Sequence, residues 1–498
     1  MTYFTNNIIV FYFLILIKVQ FISNNIYKIP FGLFNSKDLD NTLDMIDNIF
    51  YNLIYVNLSI GIPPQIISFS LNINSQTFFV PNKIYNKNES SSYESVSKNE
   101  ISYEYEDVSN GFNSKDILNL NNNTKQKINF ILGTKFENIN KNLGIIGLRI
   151  PKRVQFGVYP FFQSLRNAGF ISSYSWTLKY FDNISLIDTI VYNKNKNNII
   201  GEFIFGDEPH NYEDDKVIYN VNEYSKVSPL SSSDGFLYWD IEFNSIYFIN
   251  KESQNEDKEF SKIIVQGNKK AQIIPDIGFI ISPIEFFDQI SNNFFNDYFK
   301  QNICRKNKID LYLYDYIECN YNSLFRVSSF PTLSLEHLGF ESIFNLTYKD
   351  LFVVDKKNNK YIFLIFNKEH FHNWVLGTIF LRKFQFVFNG DYKTIGYYKS
   401  NNYYKANSEN KSENLNKNNK INKKKYIILL ILLFIFSVLL VLFGMFCQRQ
   451  FFNKNRKIRA NELEENFSYE SNFNTNKNIN KKTKIIKEEE KEDKYHSI

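Results

Sequence analysis

The amino-acid sequence predicts a mostly β chain, built twice over and closed by one C-terminal transmembrane helix. Three observations carry this. Runs of Val, Ile, Phe and Tyr, separated by Asn, Ser and Gly, recur from Tyr51 to Tyr398, the pattern of strands rather than of helices. Two loops share one shape, Asn72-Ile73-Asn74 followed by Pro81 and Asp276-Ile277-Gly278 followed by Pro283. An uncharged run of 22 residues, Tyr426 to Cys447, lies beyond them.

A chain of 498 residues with 43% hydrophobic and 17% aromatic residues is long and apolar enough for two or three domains with large cores. Asn/Lys runs such as Asn193 to Asn198 interrupt it as low-complexity surface insertions. The formal charge of +6 is modest and its basic residues are scattered, which argues against nucleic acid as a partner.

The elements follow in order. Ile8 to Ile17 is an apolar stretch too short to span a bilayer; it reads as the core of a signal peptide over residues 1–22, or as a retained anchor, because no Lys or Arg precedes it. Strand runs follow in LIYVNLSIG, IISFSLNI, KINFILG and SWTLKY. Two helices are expected: Pro160 to Gly169, which ends on Gly, and Pro283 to Phe299, which opens on Pro. The second half repeats the recipe with GEFIFG, YWDIEFNSIYFI, KIIVQG, QIIPDIG, FPTLSLEHLG, YIFLIF and FQFVFNG.

The run Tyr426 to Cys447 covers about 33 Å as a helix, enough to cross a membrane. Lys423, Lys424 and Lys425 precede it, and Arg449, Lys454, Arg456, Lys457 and Arg459 follow it. The excess below places the C-terminus in the cytoplasm, a type I single-pass orientation in the secretory pathway or at the cell surface. With Cys447 at the membrane boundary, Cys304 and Cys319 are the one pair available to the exported region; an oxidising compartment joins them, and the alternative is two buried thiols. Sequons at Asn57, Asn88, Asn122, Asn183, Asn345 and Asn410 fit that route, although an Asn-rich chain forms such triplets by chance.

From about Ile26 to Ser400 the chain resembles the pepsin-like aspartic peptidases. YVNLSIGIPPQIISFSLNINSQTFFVP is similar to the family's stretch from a Gly-Thr-Pro-x-Gln turn through D-T-G-S to Trp-Val-Pro. Gly144 to Leu148 (GIIGL) resembles the strand behind that loop, and WVLGTIFLRKFQFVFNGDYKTIGYY (Trp374 to Tyr398) the C-terminal hairpin. GEFIFGDEPHNY, YWDIEF, and the Cys304 and Cys319 pair followed by FPTLSLEHLG are also similar. The resemblance implies a bilobal fold, with an N-terminal lobe over 51–200 and a C-terminal lobe over 201–400. One catalytic carboxylate comes from each lobe at the floor of a cleft that takes peptide or unfolded protein. It implies no cofactor and no metal. Tyr27 to Phe31 resembles the end of a prosegment; with Lys28 and Lys37 as its basic residues, the region 23–50 is vestigial in that role.

This chemistry needs two carboxylates that share a proton, one activating water and the other polarising the scissile carbonyl. By this resemblance Asp276 holds the second catalytic position and Asn72 the first, and an amide is neither a useful acid nor a base. Between Asp47 and Glu89 the sequence holds no Asp or Glu, so no local shift restores one. The expectation is therefore a pseudoprotease that binds peptides, with an aspartic endopeptidase using a non-standard Asn/Asp site as the alternative. Ile73 and Ile277 replace the threonines that tie the two loops together, and Phe279 stands where a hydroxyl is usual. Ser75 and Gly278 keep family residues that line the bound substrate. Pro283 comes two residues earlier than the family spacing.

Tyr105 resembles the flap tyrosine over the substrate, flanked by Glu106 and Val108 in place of glycines; the alternative is an exposed hairpin Tyr. Residues 401–425 read as an Asn/Lys linker, 426–447 as the membrane helix and 448–498 as a charged cytoplasmic tail. The basic cluster Arg449 to Arg459 suits anionic lipid or is an ordinary stop-transfer flank. Tyr495 to Ile498 fits a tyrosine-based sorting signal.

Overall fold

A computed structural model describes residues 26–399, less 36–44, 103–107, 122–123, 137–142, 151–159, 192–197, 212–218, 231–237, 250–261, 310–312 and 322–323, together with scattered helical residues between 443 and 456. The expected signal peptide, linker, Tyr105 and sorting signal, and nearly all of the expected span 426–447 and of the tail, lie outside the described residues. Among the described residues no helix is long and apolar enough to cross a membrane.

The described chain is mostly β and forms two sheets. The first begins with β1 (Tyr27–Asn35), β2 (Asn52–Ile60), β3 (Gln65–Asn72) and β4 (Phe78–Pro81). It continues with β5 (Glu94–Ser95), β6 (Ile101–Ser102), β7 (Val108–Asn121), β8 (Thr124–Phe136) and β9 (Gly144–Gly147). β10 (Ser175–Tyr180), β11 (Ile199–Phe205) and β12 (Tyr224–Val227) extend it. The second sheet takes the next eleven: β13 (Asp240–Ile249), β14 (Lys262–Ile273), β15 (Ile280–Ser282), β16 (Cys304–Ile309), β17 (Tyr314–Asn320), β18 (Thr332–His337), β19 (Ser342–Leu346), β20 (Phe352–Asp355), β21 (Lys360–Phe363), β22 (Ile365–Lys368) and β23 (Trp374–Leu376). The chain then returns to the first sheet with β24 (Phe386–Asn389) and β25 (Thr394–Tyr398).

The duplication is visible in the strand order. One sheet runs β2-β3-β9-β4-β8-β7 and the other β13-β14-β23-β15-β22-β17. In each, a late strand inserts between the two that flank a loop, pairing parallel with the first and antiparallel with the second. Strands such as β4, β9 and β23 are buried on both faces, which is why they read as continuous apolar runs without alternation.

Sheet membership corrects the expected lobe boundaries. The division at 200/201 falls inside β11, and β24 and β25, placed by sequence in the second lobe, pair into the first sheet through β10 and β12. β1, expected to be a prosegment remnant, is an interior strand between β11 and β2. Sequence order groups neighbours along the chain, whereas hydrogen-bond ladders group neighbours in space.

The short helices are α1 (Met45–Tyr51), α2 (Phe161–Asn167), α3 (Leu186–Ile190), α4 (Ile284–Ile290), α5 (Asn296–Lys300), α6 (Tyr348–Leu351) and α7 (Thr378–Lys383). The helix expected at Pro160 is α2, and the chain leaves it through Gly169 at φ +76°. The helix expected from Pro283 is α4 and α5 joined by a π turn over Ser291–Phe295. Cys304 and Cys319 face each other across β16 and β17 and are disulfide-bonded. The two sheets meet at aromatic residues. Trp176 of β10 stacks on Phe388 of β24 at 4.1 Å, and Trp239 crosses it edge-on at 6.1 Å while donating its indole N–H to the carbonyl of Leu148 at 2.7 Å.

One buried group makes the fold sensitive to acid. Burial among Phe243 and Phe340 pushes the His337 imidazole below its ordinary value, and its Nδ1 accepts the backbone N–H of Phe340 at 3.2 Å. The folded state resists the proton that the unfolded chain accepts, so this contribution is present above the unfolded value of about 6.5 and is lost as pH falls through the depressed folded value. Urea midpoints are expected to be lower at pH 5 than at pH 7.5. His337→Gln should shrink that difference; an equal difference in both proteins would remove His337 as its source.

Candidate functional site

β3 delivers its last residue, Asn72, to the first loop. Its Oδ1 accepts the backbone N–H groups of Asn74 at 2.8 Å and Ser75 at 3.1 Å, so the amide side chain closes its own turn and retains its NH2 as donor. The loop is held from behind. Leu148 donates its N–H to the carbonyl of Asn72 at 2.8 Å, Arg149 to that of Ser75 at 2.9 Å, and Gly147 to that of Thr77 at 2.9 Å. Ser75 is buried, and its Oγ accepts the Thr77 N–H at 3.2 Å. Ile73 is buried and Asn74 exposed.

β14 delivers the second loop. Thr378, just beyond β23, clamps it on both sides of Asp276: its Oγ1 donates to the carbonyl of Pro275 at 2.8 Å and its N–H to that of Ile277 at 2.6 Å. Asp276 is half-buried, and Gly278 and Phe279 are buried. Tyr180, buried at the end of β10, has its hydroxyl pushed up by burial; the Asp276 carboxylate adds to this, and Thr378 and Arg382 oppose it. The guanidinium of Arg382 donates to the carbonyl of Ile184 at 2.7 Å. Thr378 and Tyr180 were not singled out by sequence reasoning, and no motif marks them.

The register of the two inserted strands identifies which loop positions are equivalent. Leu71 and Phe78 both face Ile146 of β9, and Ile273 and Ile280 both face Leu376 of β23. Each loop thus spans the same number of residues between strands that flank one central position. Counting outward from those anchors, Asn72 corresponds to Ile274, Asn74 to Asp276, Ser75 to Ile277, and Pro81 to Pro283. The backbone agrees. A Cβ on Gly147 would lie 2.7 Å from the carbonyl oxygen of Ser75, and one on Gly377 would lie 2.1 Å from that of Ile277.

By strand register, then, the equivalent of Asn72 is Ile274 rather than Asp276. The motifs N-I-N and D-I-G look alike but sit two residues out of step, so the strand-end positions of the two loops carry Asn72 and Ile274. The early arrival of Pro283 was the signal: it follows Ile274 by the interval at which Pro81 follows Asn72. Gly278 corresponds to Gln76 rather than to Asn74, and its open face is filled by Ile49 of α1. Among the described residues no cluster of three or more His, Cys, Asp or Glu could hold a metal ion.

No curated protein matches the chain. A family model for eukaryotic aspartyl proteases matches residues 66–399, well over half of the chain and nearly all of both sheets. With duplicated loops braced by inserted strands and one late hairpin returning to the first sheet, the chain belongs to the eukaryotic aspartyl protease family.

Proposed function

We propose that this protein is a membrane-anchored member of the family that binds extended peptide or unfolded protein in the secretory pathway without hydrolysing it. The observation that carries the reading is the register of the two loops: the equivalent strand-end positions hold an amide, Asn72, and an alkyl group, Ile274. A shared-proton pair needs two carboxyls in contact, and Asp276 sits two residues beyond the equivalent position. The Cys304–Cys319 disulfide supports an exported location. The uncharged run from Tyr426 supports a single type I anchor, with the protein-binding side lumenal or extracellular.

The test is a paired binding and cleavage screen on the purified protein against a mixture of unfolded polypeptides between pH 3 and 7. Binding without cleavage is expected, and Asp276→Ala should leave the cleavage baseline unchanged. Cleavage at acid pH that Asp276→Ala abolishes would instead establish an active aspartic endopeptidase with a non-standard site.

A further inference from the structure

Among the described residues β12 is an edge strand of the first sheet, paired with β25 alone, and one carboxylate ties it to the sheet. Glu208 is 4% exposed. Each of its oxygens lies 2.9 Å from the Lys226 ammonium of β12, and one also accepts the side-chain amide N–H of Asn389 of β24 at 2.7 Å. His210, on the 3-10 turn Pro209–Asn211, stands beside it with 12% of its side chain exposed. Its backbone N–H donates to the Tyr398 hydroxyl at 3.2 Å, and that hydroxyl lies 2.7 Å from His210 Nδ1. The assignment that gives each proton an acceptor has the hydroxyl donating to Nδ1, which leaves the ring proton on Nε2, 3.5 Å from Glu208 Oε2.

We infer that His210 is an acid-sensitive latch: a second proton on its ring loosens the tie between Glu208 and Lys226, so that β12 is held on the sheet near neutral pH and opens in an acidic compartment. One carboxylate would then face two cations. The imidazolium draws on the near oxygen of Glu208, repels the Lys226 ammonium, and points its new Nδ1–H at a hydroxyl that already receives the backbone N–H of His210. Burial holds the ring below its ordinary value, Lys226 adds to this, and Glu208 and Asp207 oppose it. The closed form therefore resists a proton that the opened form accepts, and the closing free energy is complete above the ordinary value of about 6.5 and is lost as pH falls through the depressed one. The other ionisable groups at this edge are Tyr224, stacked on Tyr398 at 4.5 Å, Tyr219, 5.0 Å from Tyr398, and Tyr392, whose ring lies 5.5 Å from the Lys226 ammonium. On the other face of β12 stands His337, whose near neighbour Gly339 would carry a Cβ 2.8 Å from Val227. β25 keeps its place when β12 leaves, because Tyr397 is buried among Phe340, Phe344 and Phe386. Release of β12 uncovers the ladder edge of β25.

Hydrogen exchange on the full-length protein at pH 7.5 and 5.0, corrected for the intrinsic pH dependence of exchange, is compared in the native chain, His210→Gln and His337→Gln. In the native protein the amides of Tyr224–Val227 should open more often at pH 5.0, by about threefold or more; about 30-fold is the limit for a group of reference value near 6.5 that protonates only in the opened form. His210→Gln keeps a polar side chain that does not titrate and should lose this response, while His337→Gln should retain it. Amides of β8, towards the other end of the same sheet, should keep their native rates in both variants, which shows that they are folded. Native β12 exchange independent of pH, or a response that survives in His210→Gln, would overturn the inference, as would a response that His337→Gln abolishes.

Discussion

Asn72→Asp alone is expected to give no more peptide hydrolysis than the native chain, whereas Asn72→Asp combined with Ile274→Asp should exceed either single substitution by about 10²-fold at acid pH. The reason is positional. A water molecule is activated by a carboxylate pair only when both groups meet over it, and by register the position equivalent to 72 is Ile274, not Asp276. Asp276 corresponds to Asn74, an exposed residue whose N–H is already bound to the Asn72 side chain. The full family rate is not expected even in the double variant. Ile73 and Pro275, the residues after the two equivalent strand-end positions, carry no hydroxyl for the bonds that resemblance to the family implies between the loops. Turnover of short peptides at pH 3.5 to 5 checks the prediction. Strong activity from Asn72→Asp by itself would mean that Asp276 does reach position 72, and the register argument would fail.

The second large effect concerns the backbone behind the loops. Gly377→Ala should cost about 3 kcal/mol or more of unfolding free energy, because its Cβ would stand 2.1 Å from the carbonyl oxygen of Ile277 and 2.3 Å from that of Phe279. Both are backbone atoms, so no rotamer change relieves the clash; the Asp276 loop or β23 must move. Its backbone angles are ordinary for an extended residue, so space and not conformation demands glycine there. Gly169→Ala is the contrast. Gly169 has φ +76° and nothing within 4 Å of a new Cβ, so only the left-handed conformation is penalised, by about 1 kcal/mol. Urea denaturation of the two variants separates the mechanisms. Equal losses would show that the contact between Gly377 and the loop is soft.

Much of the architecture was legible in the sequence because it is locally encoded. Strand runs, the turn residues around Asn72 and Asp276, the Gly169 stop and the Cys304–Cys319 pair depend on side-chain shape and near neighbours, and each is found where the sequence placed it. The lack of any acid between Asp47 and Glu89 was equally plain. What only the tertiary structure decided is pairing. The return of β24 and β25 to the first sheet, the interior place of β1, and the seating of Phe50 against Phe279, Tyr314 and Phe366 join residues far apart in sequence, where no local pattern speaks.

The loop register belongs to the same class, with a sharper cause. Side chains along a strand alternate with a period of two, so a one-residue error would turn every buried group outward and betray itself in the hydrophobic pattern, but a two-residue error preserves the alternation. Aligning D-I-G with N-I-N therefore left the apolar pattern undisturbed. Only the ladder that sets Leu71 and Phe78 against Ile146, and Ile273 and Ile280 against Leu376, counts the residues between them, and it makes Ile274 the equivalent of Asn72.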